Sequence, residues 1–500
     1  MSLASQLPVL PIVIPLIAAP PTLLMPAGRA AHVWAVIVSS LTFIACAALL
    51  AEVAANGPVS YAIGDWPAPL GIEYRIDLAN ALVINLVAAI GALVAAFSYE
   101  SVASEIDRRQ TNLFYGAFLI CMLGLIGVAI TGDAFNVFVF LEVSSLSTYA
   151  LVALGARRDR RALTAAFNYL VMGTIGATFF VIGLGLLYQA TGTLNMADLK
   201  TLLQGEDNRM VQAGYVFVLV GMGLKAAMFP LHLWMPNAYA YAPSAVSAFV
   251  AATSTKVAVY VLIRFTYSVV GVDFDFISAA FNFILAPLAI AGMFFASLVA
   301  VFQSDVKRML AYSSAGQIGY MLLGISFGTE AGLQASLVHL FNHGLMKGAL
   351  FMSVACVVYR LSSHNCAAFH GLARRMPFTA GAFIIAGLSL IGVPLTVGFI
   401  SKWQLLTAAF DAGRAWAAFL IVGSSLLALA YVGRVVELMV LRPPPEEGPF
   451  AGEAREAPVA MLAPMWILVA ANLYFGVRTE LTAGYAGRAA EALMAVGGAG

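Results

Sequence analysis

The chain has 500 residues, 61% hydrophobic and only 10% charged, with a mean hydropathy of +0.91, whereas a soluble domain carries about 25% charged residues. Such a chain is an integral membrane protein, and its apolar segments leave no stretch for a soluble catalytic domain. A net charge of +1, with no basic cluster interleaved with aromatics, excludes the electrostatic footprint of a nucleic-acid binder.

The N-terminus "MSLASQLPVLPIVIPLIAAPP" has no basic residue ahead of its apolar run, which predicts a first membrane span and a chain that starts at Met1, not a cleaved signal peptide. Apolar runs between polar breaks predict fourteen spans, near 7–25, 31–51, 78–98, 112–131, 134–155, 162–190, 211–236, 243–268, 278–302, 307–328, 331–359, 379–408, 413–440 and 459–478. An even number puts both termini on one side of the membrane. Alternate connections hold fourteen Lys and Arg in one set, among them Arg29, Arg157, Arg158, Lys307 and Arg308, against six in the other. Basic connections stay in the cytoplasm, so both termini are predicted to lie outside. Six of the 26 Lys and Arg remain inside spans: Lys225, Lys256, Arg264, Lys347, Lys402 and Arg434.

Tyr61 to Asp77 alternates turn residues with short β-favouring runs, which predicts an external hairpin. "RPPPEEGPFAGEAREAP", from Arg442 to Pro458, reads as an extended, solvated loop. Cys46, Cys121, Cys356 and Cys366 show no C-x-x-C spacing, which argues against iron–sulfur and structural zinc sites.

The lysines inside spans need a reason, because a lysine at the bilayer centre costs about 2.5–3.5 kcal/mol on insertion scales. Lys225 lies ten residues beyond Tyr215, roughly 15 Å deep and near the midplane. Glu142, in "NVFVFLEVSSLSTYALV", is the only acidic residue inside a predicted span before Glu437, and a buried cation such as Lys225 is its natural partner. Pairing favours both charged forms and burial disfavours both, so the pair responds to any third charge nearby. A static salt bridge holding two helices together is the competing reading. Number weighs against it, since Lys256 and Lys402 lie in further spans and buried acids are too few to pair them all.

His339, His343 and Lys347, in "VHLFNHGLMKGAL", stand at i, i+4 and i+8 and share one helix face, where they could pass protons along the helix. Paired histidines can also bind metal or serve structure alone; here the glutamate of a zinc-protease helix is missing and no third ligand is evident, so metal ranks low. Arg264 and Arg434 lie nearer helix ends and read as structural. His364, Cys366 and His370 read as a plain loop. His232 follows Pro230 and is a lesser candidate for a water-filled cavity.

A proline inside a helix frees a carbonyl that lipid cannot satisfy, so a broken span marks a polar interior. Lys225 precedes Pro230, and Lys402 follows Pro394 in "IGVPLTVGFISKW", placing a lysine in each of two interrupted spans five apart. Such paired breaks predict an internal inverted repeat, spans 4–8 and 9–13. The chain then divides into 1–111 (three helices and the hairpin), 112–270 and 271–440 (the two repeats), and 441–500 (the loop, helix 14 and a short tail).

"LKAAMFPLHLWMPNAYAYAPSAVSAFVAATSTKVAVY", from Leu224 to Tyr260, closely resembles the signature of the antiporter-like subunits shared by respiratory complex I and Mrp-type multisubunit cation/proton antiporters. The likeness extends through "QSDVKRMLAYSSAGQIGYML" and "HLFNHGLMKGALF" to nearly the whole chain. It implies an all-α membrane fold of fourteen core helices with a hydrophilic axis along the membrane plane. On that resemblance Glu142 and Lys225 match the family's charged pair and Lys256 its connecting lysine. His339, His343 and Lys347 match the polar face of the eleventh helix, and Lys402 the terminal site on the twelfth. Some complex I subunits carry glutamate at that last site, and "TGTLNMADL" looks most like the D-type component of the Mrp antiporter.

The function expected is therefore proton movement in exchange for sodium or another monovalent cation, without a cofactor, as no nucleotide, haem or flavin motif is present. The resemblance implies a bacterial cytoplasmic membrane, other small and large membrane subunits as partners, and no nucleic acid. The runner-up is a proton-pumping subunit of a redox complex, a quinone-linked dehydrogenase or a membrane hydrogenase. A third reading makes the chain a scaffold whose charges only assemble the complex.

Overall fold

Short polar side chains set where the membrane helices begin. In the computed structural model, which describes residues 6–26, 28–204, 208–272, 274–447, 450 and 455–495, Asp77 opens α3 (Leu78–Glu105) by accepting from the N–H groups of Ala79 and Asn80 at 3.0 and 3.1 Å. Asp133 caps α5 (Ala134–Ala153) through the Asn136 N–H at 2.7 Å. The start of the chain at Met1 and residues 448–449 and 451–454 of the Pro-rich loop lie outside the described residues.

In chain order, α1 (Leu10–Ala18) and α2 (Arg29–Asn56) precede a hairpin of β1 (Val59–Ala62) and β2 (Glu73–Ile76), antiparallel with Val59 opposite Ile76 and Ala62 opposite Glu73. After α3 come α4 (Thr111–Ile130), α5, α6 (Arg161–Thr191), the short α7 (Met196–Leu203), α8 (Arg209–Lys225), α9 (Met235–Tyr241) and α10 (Ser244–Ile263). The second half holds α11 (Asp275–Val301), α12 (Val306–Ile325), α13 (Glu330–Leu361), α14 (Pro377–Ile391), α15 (Val397–Asp411), α16 (Ala415–Val440), α17 (Val459–Val477) and α18 (Tyr485–Met494).

Among the described residues, ten helices are long and apolar enough to cross a membrane: α2 to α6, α10, α11, α13, α16 and α17. The other four expected crossings are of different kinds. Leu10–Leu24 is short, and α12 carries Lys307, Arg308, Ser313, Ser314 and Gln317. The spans expected near 211–236 and 379–408 are each two half-helices, α8 with α9 and α14 with α15. Pro230 lies in the first break and Pro394 in the second, where Gly392 takes φ +98°.

The repeat is visible in local pairings. Asp133, opening α5, bridges Asn195 beyond α6; Asp305, opening α12, bridges Asn365 beyond α13. Each Asp caps its helix and each Asn caps the turn after it. The two pairs are five spans apart, and because successive spans alternate in direction, equivalent helices in the two repeats run oppositely. The fold is thus all-α and membrane-spanning, with spans 4–8 and 9–13 as inverted repeats broken at their seventh and twelfth crossings.

α10 and α13 pack together at the centre and are almost wholly buried, whereas α6 and α16 lie at the periphery. α3 exceeds the predicted span near 78–98 and ends at Glu105, because its last turn is polar and finds partners: Ser101 donates to Glu105 at 2.9 Å, as does the backbone N–H of Ser244 at 3.1 Å.

Candidate functional site

Glycines bring α6 and α8 into backbone contact, which fixes the height of Lys225. A Cβ on Gly221 would stand 2.6 Å from the Gly176 carbonyl oxygen, so only glycine permits the approach. Lys225 ends α8 and donates to Ser145 Oγ at 2.7 Å, with Glu142 Oε1 at 3.6 Å. The expected pair is formed, and its members are unequal: the Lys225 side chain is 7% exposed and that of Glu142 26%. Glu142 shares the outer flank of α5 with Phe135, Val139 and Leu146, all exposed.

Lys256 is completely buried on α10 and donates to the Ala251 carbonyl and to Thr255 Oγ1. The three residues read as one face of α13 are all buried. Lys347 donates to the Leu310 carbonyl at 2.7 Å and to Ser313 Oγ, both on α12. The rings of His339 and His343 lie 5.9 Å apart and within 5° of parallel. Among the described residues, neither ring nitrogen of His343 has a hydrogen-bond partner, and such a group is costly to leave unbonded in an apolar interior.

At the second break, Gly398 lets the first turn of α15 rest on α14; a Cβ there would lie 1.7 Å from the Ser389 carbonyl oxygen. This places Lys402 against the last carbonyls of α14, donating to Leu390 at 3.1 Å and Ile391 at 2.8 Å, and to Ser425 Oγ at 3.1 Å. A helix C-terminus is the negative end of its dipole and suits an ammonium. Lys402 also lies 5.0 Å from the Tyr320 ring centroid. Its neighbour Ser401 meets His339 Nδ1 at 2.8 Å, which ties α15 to the row on α13.

Lys256 on α10, His339, His343 and Lys347 on α13 and Lys402 on α15 are all buried, and α13 packs against both other helices, so they form one cluster at the centre of the molecule. Lys225 and Glu142 form a separate pair in the first repeat. His232 is buried in the first break, 5.4 Å from the Phe229 ring and 6.0 Å from that of Tyr312. Arg264, read as structural, binds Asp77 at 2.7 Å, and Arg434 donates to the Val301 carbonyl at 2.8 Å. His364 of the plain loop contacts Asp305 at 2.7 Å.

Two charged residues escaped the sequence reading. Glu105 is buried at the end of α3, so Glu142 is not the only acid inside a helical crossing before Glu437. Lys307, counted with the basic connections, is 2% exposed and donates to the Ala242 carbonyl at 3.1 Å. The signal was present: Asp305 is a helix-capping residue, which starts α12 at Val306 and places Lys307 in its first turn. The serines that receive the amines, Ser145, Ser313 and Ser425, were not singled out either.

Chemically, the cluster is a set of amines and imidazoles held away from bulk water, its three lysine amines each with an acceptor. Groups so arranged can take up and release protons in turn, and a proton on one disfavours a proton on the next. Among the described residues, no group of three or more His, Cys, Asp or Glu is gathered that could hold a metal ion.

Residues 131–428 match the family described as NADH:quinone oxidoreductase/Mrp antiporter, TM. The chain is 40% identical over 492 residues to the N subunit of the NADH-quinone oxidoreductase of Desulforudis audaxviator (strain MP104C), covering 96% of this chain and 97% of that one. It is 30% identical over 496 residues to the D subunit of the Na(+)/H(+) antiporter of Bacillus subtilis (strain 168), with 97% of each chain covered. The fold superposes on a chain of the Mrp complex from Dietzia sp. DQ12-45-1b with a TM-score of 0.90, at 26% identity, covering 99% of this chain and 98% of that one. The relatives thus come from both branches of the resemblance, redox complex and antiporter. With more than half its length matched and the whole fold shared, the chain belongs to the membrane-subunit family common to NADH:quinone oxidoreductases and Mrp antiporters.

Proposed function

We propose that the chain is the proton-translocating membrane subunit of a multisubunit monovalent cation/proton antiporter, sodium being the leading cation. The observation that carries this reading is the cluster of Lys256, His339, His343, Lys347 and Lys402, buried together without a carboxylate to pair them. Static bridges would need acids at these positions; among the described residues, Glu142 is the one carboxylate within 4.0 Å of a buried lysine amine. Glu142 and Lys225 serve as the pair that senses charge, and Lys256 links the two repeats. Lys347 and the two histidines extend the row to Lys402. His232 stays outside the relay. The chain performs no bond-making chemistry of its own on this reading. It works in a bacterial cytoplasmic membrane, both termini outside, beside other membrane subunits.

The test is ΔpH dequenching in inverted vesicles carrying the whole complex, with sodium, lithium and potassium added in turn and no redox substrate. A sodium response supports antiport, and its absence in assembled complex refutes it. A second reading, a proton-pumping subunit of a redox complex, is favoured by the 40% identity to an oxidoreductase subunit. In that case proton movement depends on electron flow and not on the added cation.

A further inference from the structure

One cavity of about 910 Å³ opens on the face that carries the basic connections, walled by the end of α3, the turn after α5, the corner between α9 and α10, and the starts of α12 and the segment after α13. Its carboxylates are engaged. Asp159 meets Arg161 at 2.6 Å and Asp305 meets His364 at 2.7 Å. Glu105 accepts from the Ser244 N–H and hydroxyl and lies 3.5 Å from Arg158. Lys307 has no carboxylate within 4.0 Å among the described residues, and its amine rests on the Ala242 carbonyl, two residues from the Ser244 that holds Glu105. A buried ammonium with one neutral acceptor is an expensive structural device, since a methionine would fill the same space without desolvating a charge.

What lies inward of Lys307 gives it a use. Leu310 is three residues further along α12, about 4.5 Å along the helix axis. Its carbonyl and Ser313 Oγ are the acceptors of Lys347. One helix therefore carries a buried amine at the wall of the cavity and, one to two turns deeper, the seat of an amine in the central cluster.

We propose that Lys307 is a proton-carrying amine that joins this cavity to Lys347, with Glu105 as the carboxylate that tunes it. A proton from water in the cavity binds the neutral Lys307 amine. One N–H bond then breaks on Lys307 and the proton passes through water drawn in from the cavity to the Ser313 hydroxyl, whose own O–H proton goes on to form an N–H bond on a neutral Lys347; Lys307 returns to neutral. The groups that bias Lys307 from the elements around it are Glu105 on α3, Arg158 beyond α5 and Asp305 at its own helix start, with His364 paired to the last. This inference rests on the proton-translocation reading.

The test exploits a difference between two cations: arginine keeps the charge and can donate to Ala242, yet does not give up its proton in a protein. In inverted vesicles carrying the whole complex, Lys307→Arg and Lys307→Met are both expected to cut the initial rate of cation-driven ΔpH dissipation at least tenfold, with the complex assembled. Glu105→Gln keeps an acceptor for the Ser244 N–H, and is expected to move the pH–rate profile to lower pH. An assembled Lys307→Arg complex working at the wild-type rate makes Lys307 a fixed charge and overturns the inference alone, as does an unmoved profile in assembled Glu105→Gln. Wild-type complex without any cation-driven ΔpH overturns the antiport reading as well.

Discussion

The Lys225–Glu142 pair gives the most direct measurement of whether buried charges here work or merely brace. At 3.6 Å between Nζ and Oε1, the attraction is about 4–5 kcal/mol at an effective dielectric constant of about 20. Glu142 is a quarter exposed, and desolvation offsets part of that gain, which leaves a net coupling of about 2 kcal/mol, within the range measured for neighbouring residues. A double-mutant cycle with Glu142→Gln and Lys225→Gln, read as initial rates of cation-driven ΔpH dissipation, reports that number. If the two act as one unit, each single variant loses about 30-fold, which is about 2 kcal/mol, and the double variant loses no more than the worse single. Losses that multiply in the double variant refute the coupling. Singles that abolish assembly, while assembled complex retains its rate, put the pair in the scaffold.

Other outcomes follow from the same geometry. Gly398→Ala drives a methyl into the Ser389 carbonyl, 1.7 Å away; the half-helices must part, and transport is expected to fall with Lys402 displaced, so unchanged transport would contradict the account of the second break. Asp133→Ala and Asp305→Ala each remove a helix cap, while the backbone bridges beside them stay in place; each should cost about 1 kcal/mol, read as similar drops in the thermal midpoint of purified protein. Outside the membrane segments, Lys200 on α7 is pushed down to about 8 by burial and by the charges of Arg75 and Arg264. Between about pH 8 and 10.5 the unfolded chain holds the extra proton, so stability rises with pH across that window. Lys200→Gln should flatten that rise, and an equal rise in the variant would assign it to other groups.

Much of this was legible in the residues because the bilayer is an unforgiving solvent. Apolar length gave the crossings, and Pro230 and Pro394 marked the two breaks, since freed carbonyls are tolerated only against a polar interior. Glu142 and Lys225 could be paired on paper because each was nearly alone in its neighbourhood. Lys307 was lost for the opposite reason: beside Arg308 and after a polar turn it looks like one more loop cation, and its burial, with the amine on the Ala242 carbonyl, comes from a corner more than sixty residues away in the chain. Which residues join was also out of reach. That His339 meets Ser401, while among the described residues His343 has no hydrogen-bond partner, depends on α15 leaning on α13, which no spacing within either helix encodes.

The outward flank of α5 carries an energetic cost. Glu142 stands among Phe135, Val139 and Leu146 on a surface that a solitary copy would turn toward acyl chains, where an ionised side chain costs about 2.5–3.5 kcal/mol or more. A subunit packed along that flank would relieve the penalty. One half-hidden carboxylate thus sets a cost that a solitary copy would bear and a covered one would not.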